Sequence, residues 1–243
     1  MKLKKIRSKI IKLIGRITGC YNYGKNNKVI VIKNGKPRKR IFMPKGLTVE
    51  FEGDNGTLTI EKPLRFDNTL IDFEGDDAEF QIKSSSNPVR SAKFYLNDNT
   101  KISIGKNSQM RASNLVVVAN SFYKEPVIIS IGDNVYIARD VLIRASDGHT
   151  IIDATTKEPL NPPANITIED NVWIGSKAVI LKGVHIPKGS IVGACSLVNK
   201  KFDEENVVIA GVPAKIIKHN TTWDKRGYGN YRRNEYDLKY NEV

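Results

Sequence analysis

A period of six residues runs through residues 168–201 and constrains the fold more than any other feature of the chain. An aliphatic side chain occurs at every sixth position, at Ile168, Ile174, Ile180, Ile186, Val192 and Val198. A helix repeats near 3.6 residues and a strand at 2, so neither element alone accounts for this spacing. A hexapeptide-repeat β-helix does, because its short parallel strands form flat faces that are joined by tight corners.

The same period occurs upstream and is then interrupted. Ile131, Ile137 and Ile143 keep the spacing of six, but Ile168 follows Ile143 by 25 residues, so about 19 additional residues (25 − 6) intervene. Long insertions in a compact domain are usually functional or disordered. This one holds His149 and the turn-rich run EPLNPPAN. We therefore expect an extended loop over residues 144–167 that carries part of a site.

Several motifs in a fixed order resemble a known family. They are IGDNVYIA, the interrupting loop with its His, IEDNVWIGSKAVI, GVHIPKGSIVGACSLV and VVIAGVPAKII. Over roughly residues 100–218 the chain is similar to hexapeptide acyltransferases, and more narrowly to the O-acetyltransferases that modify sugars. The resemblance implies a left-handed β-helix, a homotrimer, acetyl-CoA as donor and active sites between subunits. Handedness rests on the resemblance alone, since the usual crossover rule favours the right hand.

The region before the hexapeptides also consists of short strand-like runs. LTVEF (47–51), TLTI (57–60), TLIDF (69–73), EFQI (79–82), KFYL (93–96) and KISI (101–104) are separated by Gly, Asp, Asn and Pro. Their spacing alone would suit a sandwich or barrel. Because hexapeptides follow, we expect irregular coils that stack on the regular ones, since each coil needs a neighbour. The predicted class is all-β, with a basic N-terminal helix and strand arm (1–45), a β-helix domain (46–218) and a C-terminal tail (219–243).

Positive charge is concentrated at the N-terminus. The net charge is +13, yet residues 1–50 hold 15 Lys or Arg and no acidic residue before Glu50, so the remainder is nearly neutral. Residues 3–17 place six apolar side chains on one helical stripe with basic ones beside it, and Ile11 lies off the stripe. This basic amphipathic helix could bind an anionic membrane, or could pack its stripe on the β-helix end or on a neighbouring subunit. Nucleic acid is not expected, because no binding motif accompanies the charge.

The cysteine content and the N-terminal sequence predict a cytoplasmic protein. Peripheral contact with the inner face of the membrane through residues 1–17 is one option. Two cysteines, Cys20 and Cys195, form no disulfide framework, which suits a reducing compartment. Lys and Arg interrupt every apolar run of the N-terminus, which argues against a signal peptide and a membrane span.

His149 is the predicted catalytic residue. Transfer of an acyl group from a thioester to a hydroxyl needs a base, and imidazole suits that task near neutral pH. His149 lies in the interrupting loop and matches the family's catalytic His by resemblance. His185 and His219, the other two histidines, are expected on the surface and beyond the terminal cap. Asp147 could orient the imidazole or contact substrate, although a backbone carbonyl could orient the ring equally well.

The resemblance also assigns binding residues. Trp173 matches a residue that lines the acceptor or thioester site, although packing at a trimer interface would also explain it. Positions that contact the acetyl-CoA cosubstrate are matched by Ser176, Ala194, Asn199, Lys200, Lys215 and Lys218. Lys suits phosphate as a mobile point charge.

Two rival functions remain open from the sequence. A zinc enzyme of the γ-carbonic-anhydrase kind would need three protein ligands, and the third His is replaced by Ser190, so no metal is expected. A non-catalytic β-helix scaffold would have no use for a loop His. The predicted function is O-acetylation of a sugar hydroxyl in a bacterial surface polysaccharide such as capsule, O-antigen, sialic acid polymer or teichoic acid, with a small free sugar as the alternative acceptor.

Overall fold

Three eight-stranded sheets form the faces of a left-handed parallel β-helix within the described part of the chain. The computed structural model describes residues 2–110, 115–119 and 125–232. From Leu47 to Val192, each turn of the chain contributes one strand to each sheet, which gives a three-sided prism. Pairing within the three sheets is parallel except in two antiparallel hairpins at the ends, over residues 28–39 and 208–218.

The strands are assigned to the sheets as follows. Sheet A contains β1 (Cys20–Asn22), β4 (Leu47–Phe51), β7 (Thr69–Phe73), β10 (Ala92–Leu96), β13 (Leu115–Ala119), β16 (Leu142–Arg144), β19 (Val179–Leu181) and β22 (Leu197–Val198). Sheet B contains β2 (Lys28–Lys33), β3 (Lys36–Lys39), β5 (Thr57–Glu61), β8 (Glu79–Ile82), β11 (Thr100–Ile104), β14 (Val127–Ile131), β17 (Ile166–Ile168) and β20 (His185–Ile186). Sheet C contains β6 (Phe66–Asp67), β9 (Val89–Arg90), β12 (Gln109–Met110), β15 (Tyr136–Ile137), β18 (Trp173–Ile174), β21 (Ile191–Val192), β23 (Val208–Gly211) and β24 (Ala214–Lys218).

The irregular N-terminal coils and the regular hexapeptide coils form one continuous stack, as the sequence predicts. Sheet A runs without a break from β1 to β22. The start of its strands advances 22 residues from Leu47 to Thr69, but 18 residues, or three hexapeptides, from Val179 to Leu197. The longer early coils hold phenylalanines in the core, and the rings of Phe51 and Phe73 stack at 4.5 Å. The sheets begin at Cys20, so three strands of the N-terminal arm belong to them.

The hexapeptide period is explained by burial. All six aliphatic side chains of the repeat are at most 1% exposed: Ile168, Ile174, Ile180, Ile186, Val192 and Val198. Corners between faces need small residues or left-handed backbone. A Cβ on Gly175 would lie 2.6 Å from the Ala194 nitrogen of the next coil, so only glycine fits there. Several other corners use Asn at positive φ, as at Asn134 and Asn171, because Asn tolerates that region.

Helix α1 (Lys2–Thr18) packs on the N-terminal end of sheet A by the face opposite to the one that a simple amphipathic pattern favours. The packed side chains are Ile11 and Thr18, with Gly15 between them. A Cβ on Gly15 would lie 2.3 Å from the Tyr21 ring, so glycine permits this close approach. The apolar stripe is exposed at Ile6, Ile10, Leu13, Ile14 and Ile17, each between 48% and 67%. The predicted packing of this apolar stripe on the chain's own β-helix is therefore wrong.

The C-terminal tail is described as far as residue 232. Residues 228–232 are helical, and the predicted tail beyond them (233–243) lies outside the described residues. Trp223 ties the segment before this helix to sheet C, because its indole Nε1 donates to the Asn171 carbonyl at 2.6 Å. None of the helices in the described ranges has the length and apolarity needed to cross a bilayer.

Candidate active site

The insertion that carries His149 is an ordered loop at the edge between sheets A and B. It leaves β16 and returns to β17. An isolated antiparallel bridge pairs Ile152 with Pro159, and the Leu160 nitrogen donates to the Ile151 carbonyl at 2.8 Å. The Ala164 nitrogen donates to the Ala145 carbonyl at 3.1 Å and closes the base. The loop therefore projects from a fixed base on the β-helix.

Asp147 is the hub of this loop. Its Oδ2 accepts from Lys182 Nζ at 2.6 Å and from Asn161 Nδ2 at 2.7 Å. Lys182 follows β19 in the next coil, so the ion pair ties the loop to the β-helix. The hydrogen bond from Lys182, followed by that from Asn161, lowers the pKa of the Asp147 carboxyl below its ordinary value. Asp147 is therefore held as a carboxylate near neutral pH.

His149 is exposed, and its backbone carbonyl is held by another side chain of the loop. Asn161 Nδ2 donates to the His149 carbonyl at 2.9 Å as well as to Asp147. Asn161 Oδ1 accepts from the Ile151 nitrogen at 2.6 Å, so one amide side chain bridges both sides of the loop. Among the residues that the structure describes, none bonds to the imidazole. The Asp147 carboxylate is directed to Lys182 and Asn161, and it does not orient the ring in this structure.

Sequence reasoning missed three residues that support the loop. These are Asn161, Lys182 and Arg144. The Arg144 guanidinium donates to the carbonyl of Ser146 from Nε at 2.7 Å and to that of Asp147 from Nη2 at 3.3 Å. Lys182 could have been found from the register, since Arg144 pairs with Leu181 across the insertion.

Trp173 lies on sheet C within a cluster of aromatic rings. It is 39% exposed, and it pairs in register with Tyr136 of the coil before it. The Trp223 ring lies 6.0 Å from each of these two rings. The result is an aromatic surface on sheet C, part of which comes from the tail. Sequence analysis did not include Trp223, since only the fold brings it to sheet C.

The residues predicted to bind the cosubstrate fall on two parts of the prism. Ser176 and Ala194 lie at stacked corners between sheets C and A, and the Cys195 nitrogen donates to the Ser176 carbonyl at 2.9 Å. Lys215 and Lys218 are exposed on β24 of sheet C. Asn199 and Lys200 instead lie just after β22, at the edge between sheets A and B, and Lys200 Nζ lies 5.3 Å from the Phe202 ring centroid.

One chain does not bring all of these residues together. The loop-edge group, at the edge between sheets A and B, comprises Asp147, His149, Asn199 and Lys200. The sheet C group comprises Trp173, Lys215 and Lys218 on sheet C, together with Ser176 and Ala194 at the corners between sheets C and A. In a three-sided prism these parts face different directions. Within the described part of one chain, the two groups therefore lie on different parts of the prism.

The other histidines and the cysteines have local surroundings that differ from those of His149. His185 Nε2 lies 2.8 Å from Glu169 Oε1, and His219 Nδ1 lies 2.7 Å from Glu204 Oε1. Cys195 is exposed, and burial raises the pKa of the Cys20 thiol to about 11. Across the ranges that the structure describes, no group of three or more His, Cys, Asp or Glu is placed to hold a metal ion.

Comparison with known proteins identifies the family. The family model described as bacterial transferase hexapeptide (six repeats) matches residues 165–200. The chain is 37% identical over 134 residues to the galactoside O-acetyltransferase of Escherichia coli K12, and this match covers 55% of the chain and 62% of that enzyme. It is 32% identical over 154 residues to a provisionally assigned acetyltransferase of Dictyostelium discoideum, covering 63% of the chain and 77% of that protein.

A solved structure agrees with these matches. The crystal structure of the polySia specific acetyltransferase NeuO superposes with a TM-score of 0.74 at 29% identity, covering 90% of this chain and 97% of that one. The chain belongs to the hexapeptide-repeat acyltransferase family. It spans less than two thirds of the galactoside enzyme.

Proposed function

We propose that the protein is an acetyl-CoA-dependent O-acetyltransferase that acts on a sugar hydroxyl of an anionic bacterial surface polysaccharide. The observation that carries the proposal is the loop of His149. Asn161 holds the backbone carbonyl of the exposed His149, and it also donates to the Asp147 carboxylate, two residues earlier in the loop. The family membership, the similarity to a polySia specific acetyltransferase and the basic N-terminal end support the choice of donor and acceptor.

The proposed mechanism is direct transfer within a ternary complex. The His149 imidazole removes the proton of the acceptor hydroxyl while the oxygen attacks the thioester carbonyl. Backbone N–H groups stabilise the oxyanion of the tetrahedral intermediate. As the intermediate collapses, the C–S bond breaks, and the imidazolium returns its proton to the CoA thiolate. The products are the O-acetyl ester and free CoA, so atoms and charge balance.

The residues proposed to bind acetyl-CoA contact different parts of that molecule. Ser176 and Ala194 lie at adjacent corners, where small side chains leave backbone groups accessible to a pantetheine arm. Lys215 and Lys218 are exposed cations on the end hairpin, and ammonium groups suit the phosphates of CoA. No metal takes part in the proposed chemistry.

The separation of the two residue groups favours a homotrimer with active sites between subunits. The loop-edge group of one subunit would then meet the sheet C group of its neighbour. Mixed trimers of His149→Ala and Trp173→Ala test this arrangement. Random assembly leaves about a quarter of the interfaces with both groups intact, so activity rises above the sum of the separate variants. No gain on mixing, with mixed trimers verified by mass, contradicts a shared site.

Release of free CoA tests the function itself. Thiol release from acetyl-CoA is followed with a thiol reagent, using polysialic acid, other anionic glycans and neutral sugars as acceptors. We expect acceptor-dependent turnover with an anionic glycan that His149→Ala abolishes, while CoA binding by calorimetry persists. His219→Ala is the matched control, because it removes an exposed histidine outside the proposed site. Absence of both turnover and CoA binding would instead support a non-catalytic scaffold.

A small free sugar is the second candidate acceptor. The similarity to a galactoside O-acetyltransferase favours it. The same assay separates the two options, since a small-sugar enzyme turns over neutral monosaccharides and disaccharides as fast as polymers.

We also propose that α1 places the enzyme at the inner face of an anionic membrane. Its exposed stripe is bordered by the exposed cations Lys9, Lys12 and Arg16. Each basic residue near an anionic surface contributes about 1 kcal/mol to binding. Near the end of α1, the Met43 nitrogen donates to the Thr18 carbonyl at 2.7 Å, which brings the exposed Phe42 next to the helix.

Flotation with vesicles tests the membrane contact. The double variant Ile10→Ser/Leu13→Ser removes two apolar side chains from the stripe and is expected to weaken binding to phosphatidylserine-containing vesicles by about tenfold or more. Neutral vesicles are expected to bind the unaltered protein weakly. The control Ile11→Val changes the packed face and keeps the stripe. If the stripe variant alters the oligomeric state and leaves vesicle binding unchanged, the stripe is a subunit contact.

A further inference from the structure

A wide cleft at the N-terminal end of the β-helix is lined by basic side chains. Its volume is about 790 Å³, and six cations line it: Lys33, Lys36, Arg38, Arg40, Lys62 and Arg65. Its remaining lining residues are Val31, Asn34, Pro63 and Leu64, so its described wall contains no carboxylate. The cleft contains no residue of the loop-edge group or of the sheet C group.

The fold places these cations together from two segments. The hairpin of β2 and β3 turns at Asn34 and Gly35, both at positive φ, which is the usual chemistry of a two-residue hairpin. Lys36 pairs with Lys33 and Arg38 pairs with Val31, so alternate residues of β3 share one face. This is the face on which Val29 and Val31 enter the core. At the open end of the prism, the same face carries the cations Lys33, Lys36 and Arg38.

The second wall is the corner that follows β5. Lys62 is half-buried, and its Nζ donates to the Leu64 carbonyl at 2.7 Å. Burial, and then repulsion by Arg40, lowers the pKa of Lys62 below its ordinary value. The folded chain therefore holds like charges close together without an acidic partner in the cleft. An anionic ligand would relieve that repulsion.

The cleft lies far along the prism from the loop that carries His149. On sheet B, β2 and β17 are separated by five strand steps. At about 4.8 Å per step this is about 24 Å. A monosaccharide cannot occupy both places, whereas a polymer of several sugar units can.

We propose that this basic cleft is an exosite that binds a segment of an anionic polysaccharide remote from the sugar being acetylated. The inference rests on the proposed function and specifies its substrate class: a carboxylate-bearing polymer in preference to short fragments. Guanidinium groups pair with carboxylates in two-pronged geometry, and lysines add mobile point charges. The cleft holds the chain, and the reaction occurs on another unit at the loop edge.

The test measures binding and turnover as a function of chain length. End-labelled polysialic acid of three units and of more than twenty units is titrated with the full chain by fluorescence anisotropy. The double variant Lys33→Ala/Lys36→Ala removes two exposed cleft lysines. The matched control Lys106→Ala/Lys188→Ala removes two exposed lysines at corners between sheets B and C, outside the candidate site.

The cleft variant is expected to bind long chains about fivefold more weakly or worse, and to raise the KM for long chains with little change in kcat. Turnover of short fragments is expected to stay the same, and the control is expected to match the unaltered protein. An equal loss in the control, no loss in the cleft variant, or an equal loss for short fragments overturns the exosite. The exosite is also overturned if vesicle binding depends on these lysines and glycan binding does not.

The same experiment separates the exosite from the proposed function. If the unaltered protein turns over a glycan but its length dependence is insensitive to the cleft lysines, only the exosite fails. If long chains bind through the cleft but no acceptor is acetylated, the acetyltransferase proposal fails.

Discussion

Lys182 Nζ lies 2.6 Å from Asp147 Oδ2, and this ion pair joins two residues that are 35 positions apart. It ties the base of the His149 loop to the next coil of the β-helix. Asn161 then links the same carboxylate to the His149 carbonyl. The position of the proposed base is thus set by residues that do not themselves react.

Loss of the hydrogen bonds that Asn161 makes within the loop is expected to lower kcat more than it affects the binding of acetyl-CoA. Asn161→Ala removes the bonds to Asp147 and to the His149 carbonyl, so the imidazole is held less well. A misplacement of about 1 Å can cost a hundredfold in rate, so we expect kcat to fall by about ten- to a hundredfold. The KM for acetyl-CoA is expected to change little. Steady-state kinetics of this variant and of the control Lys106→Met test the prediction; a change confined to KM contradicts it.

The contacts of the Asp147 carboxylate also predict how the stability of the fold depends on pH. The folded pKa of Asp147 lies below its unfolded value because Lys182 and Asn161 donate to the carboxylate. Its contribution is therefore complete above the unfolded pKa and is lost as pH falls through the folded pKa. The Tm difference between the unaltered protein and Asp147→Asn is expected to be largest at neutral pH and to shrink in acid. A difference that is independent of pH would contradict the role of this carboxylate.

The hexapeptide positions predict stability effects that depend on burial. Ile180→Ala leaves a cavity at a position that is 0% exposed and is expected to destabilise the fold by about 2–5 kcal/mol. Ile217→Ala makes the same chemical change at a position that is 65% exposed, and is expected to stay within about 0.5 kcal/mol. Denaturant unfolding at one fixed protein concentration compares them, since association also stabilises the folded state. Equal effects would contradict the core assignment.

Trp223 is expected to anchor the tail by two separable contributions. Trp223→Phe removes the hydrogen bond to the Asn171 carbonyl and is expected to cost about 1 kcal/mol. Trp223→Ala also removes the ring contacts with Tyr136 and Trp173 and is expected to cost more. Unfolding curves, together with the emission of the remaining Trp173, measure both effects. Equal stability of all three proteins would show that the tail does not dock.

The periodic parts of the fold could be predicted from the sequence, whereas contacts distant along the chain could not. A side chain such as Ile174 is specified by its own repeat, because every sixth position faces the core. The insertion was also visible, since the starts of β16 and β19 are 37 residues apart, which equals three hexapeptides plus 19 residues.

The misses have a common physical cause. The pairing of Asp147 with Lys182 depends on the register between coils, and that of Trp223 with Asn171 spans 52 residues. The α1 pattern identified an apolar stripe but not which face packs. Gly15 decides that, because its missing Cβ lets the helix approach Tyr21.

Transfer of a labelled acetyl group tests the central claim most directly. Acetyl-CoA with a ¹³C-labelled acetyl group is incubated with polysialic acid and either the unaltered protein or His149→Ala, and the glycan is then examined by NMR. The account predicts a labelled ester on a ring hydroxyl with the unaltered protein and none with the variant. Three results would contradict it. They are a labelled amide in the glycan, a labelled ester that His149→Ala forms equally well, and no transfer of the label by a protein that binds CoA.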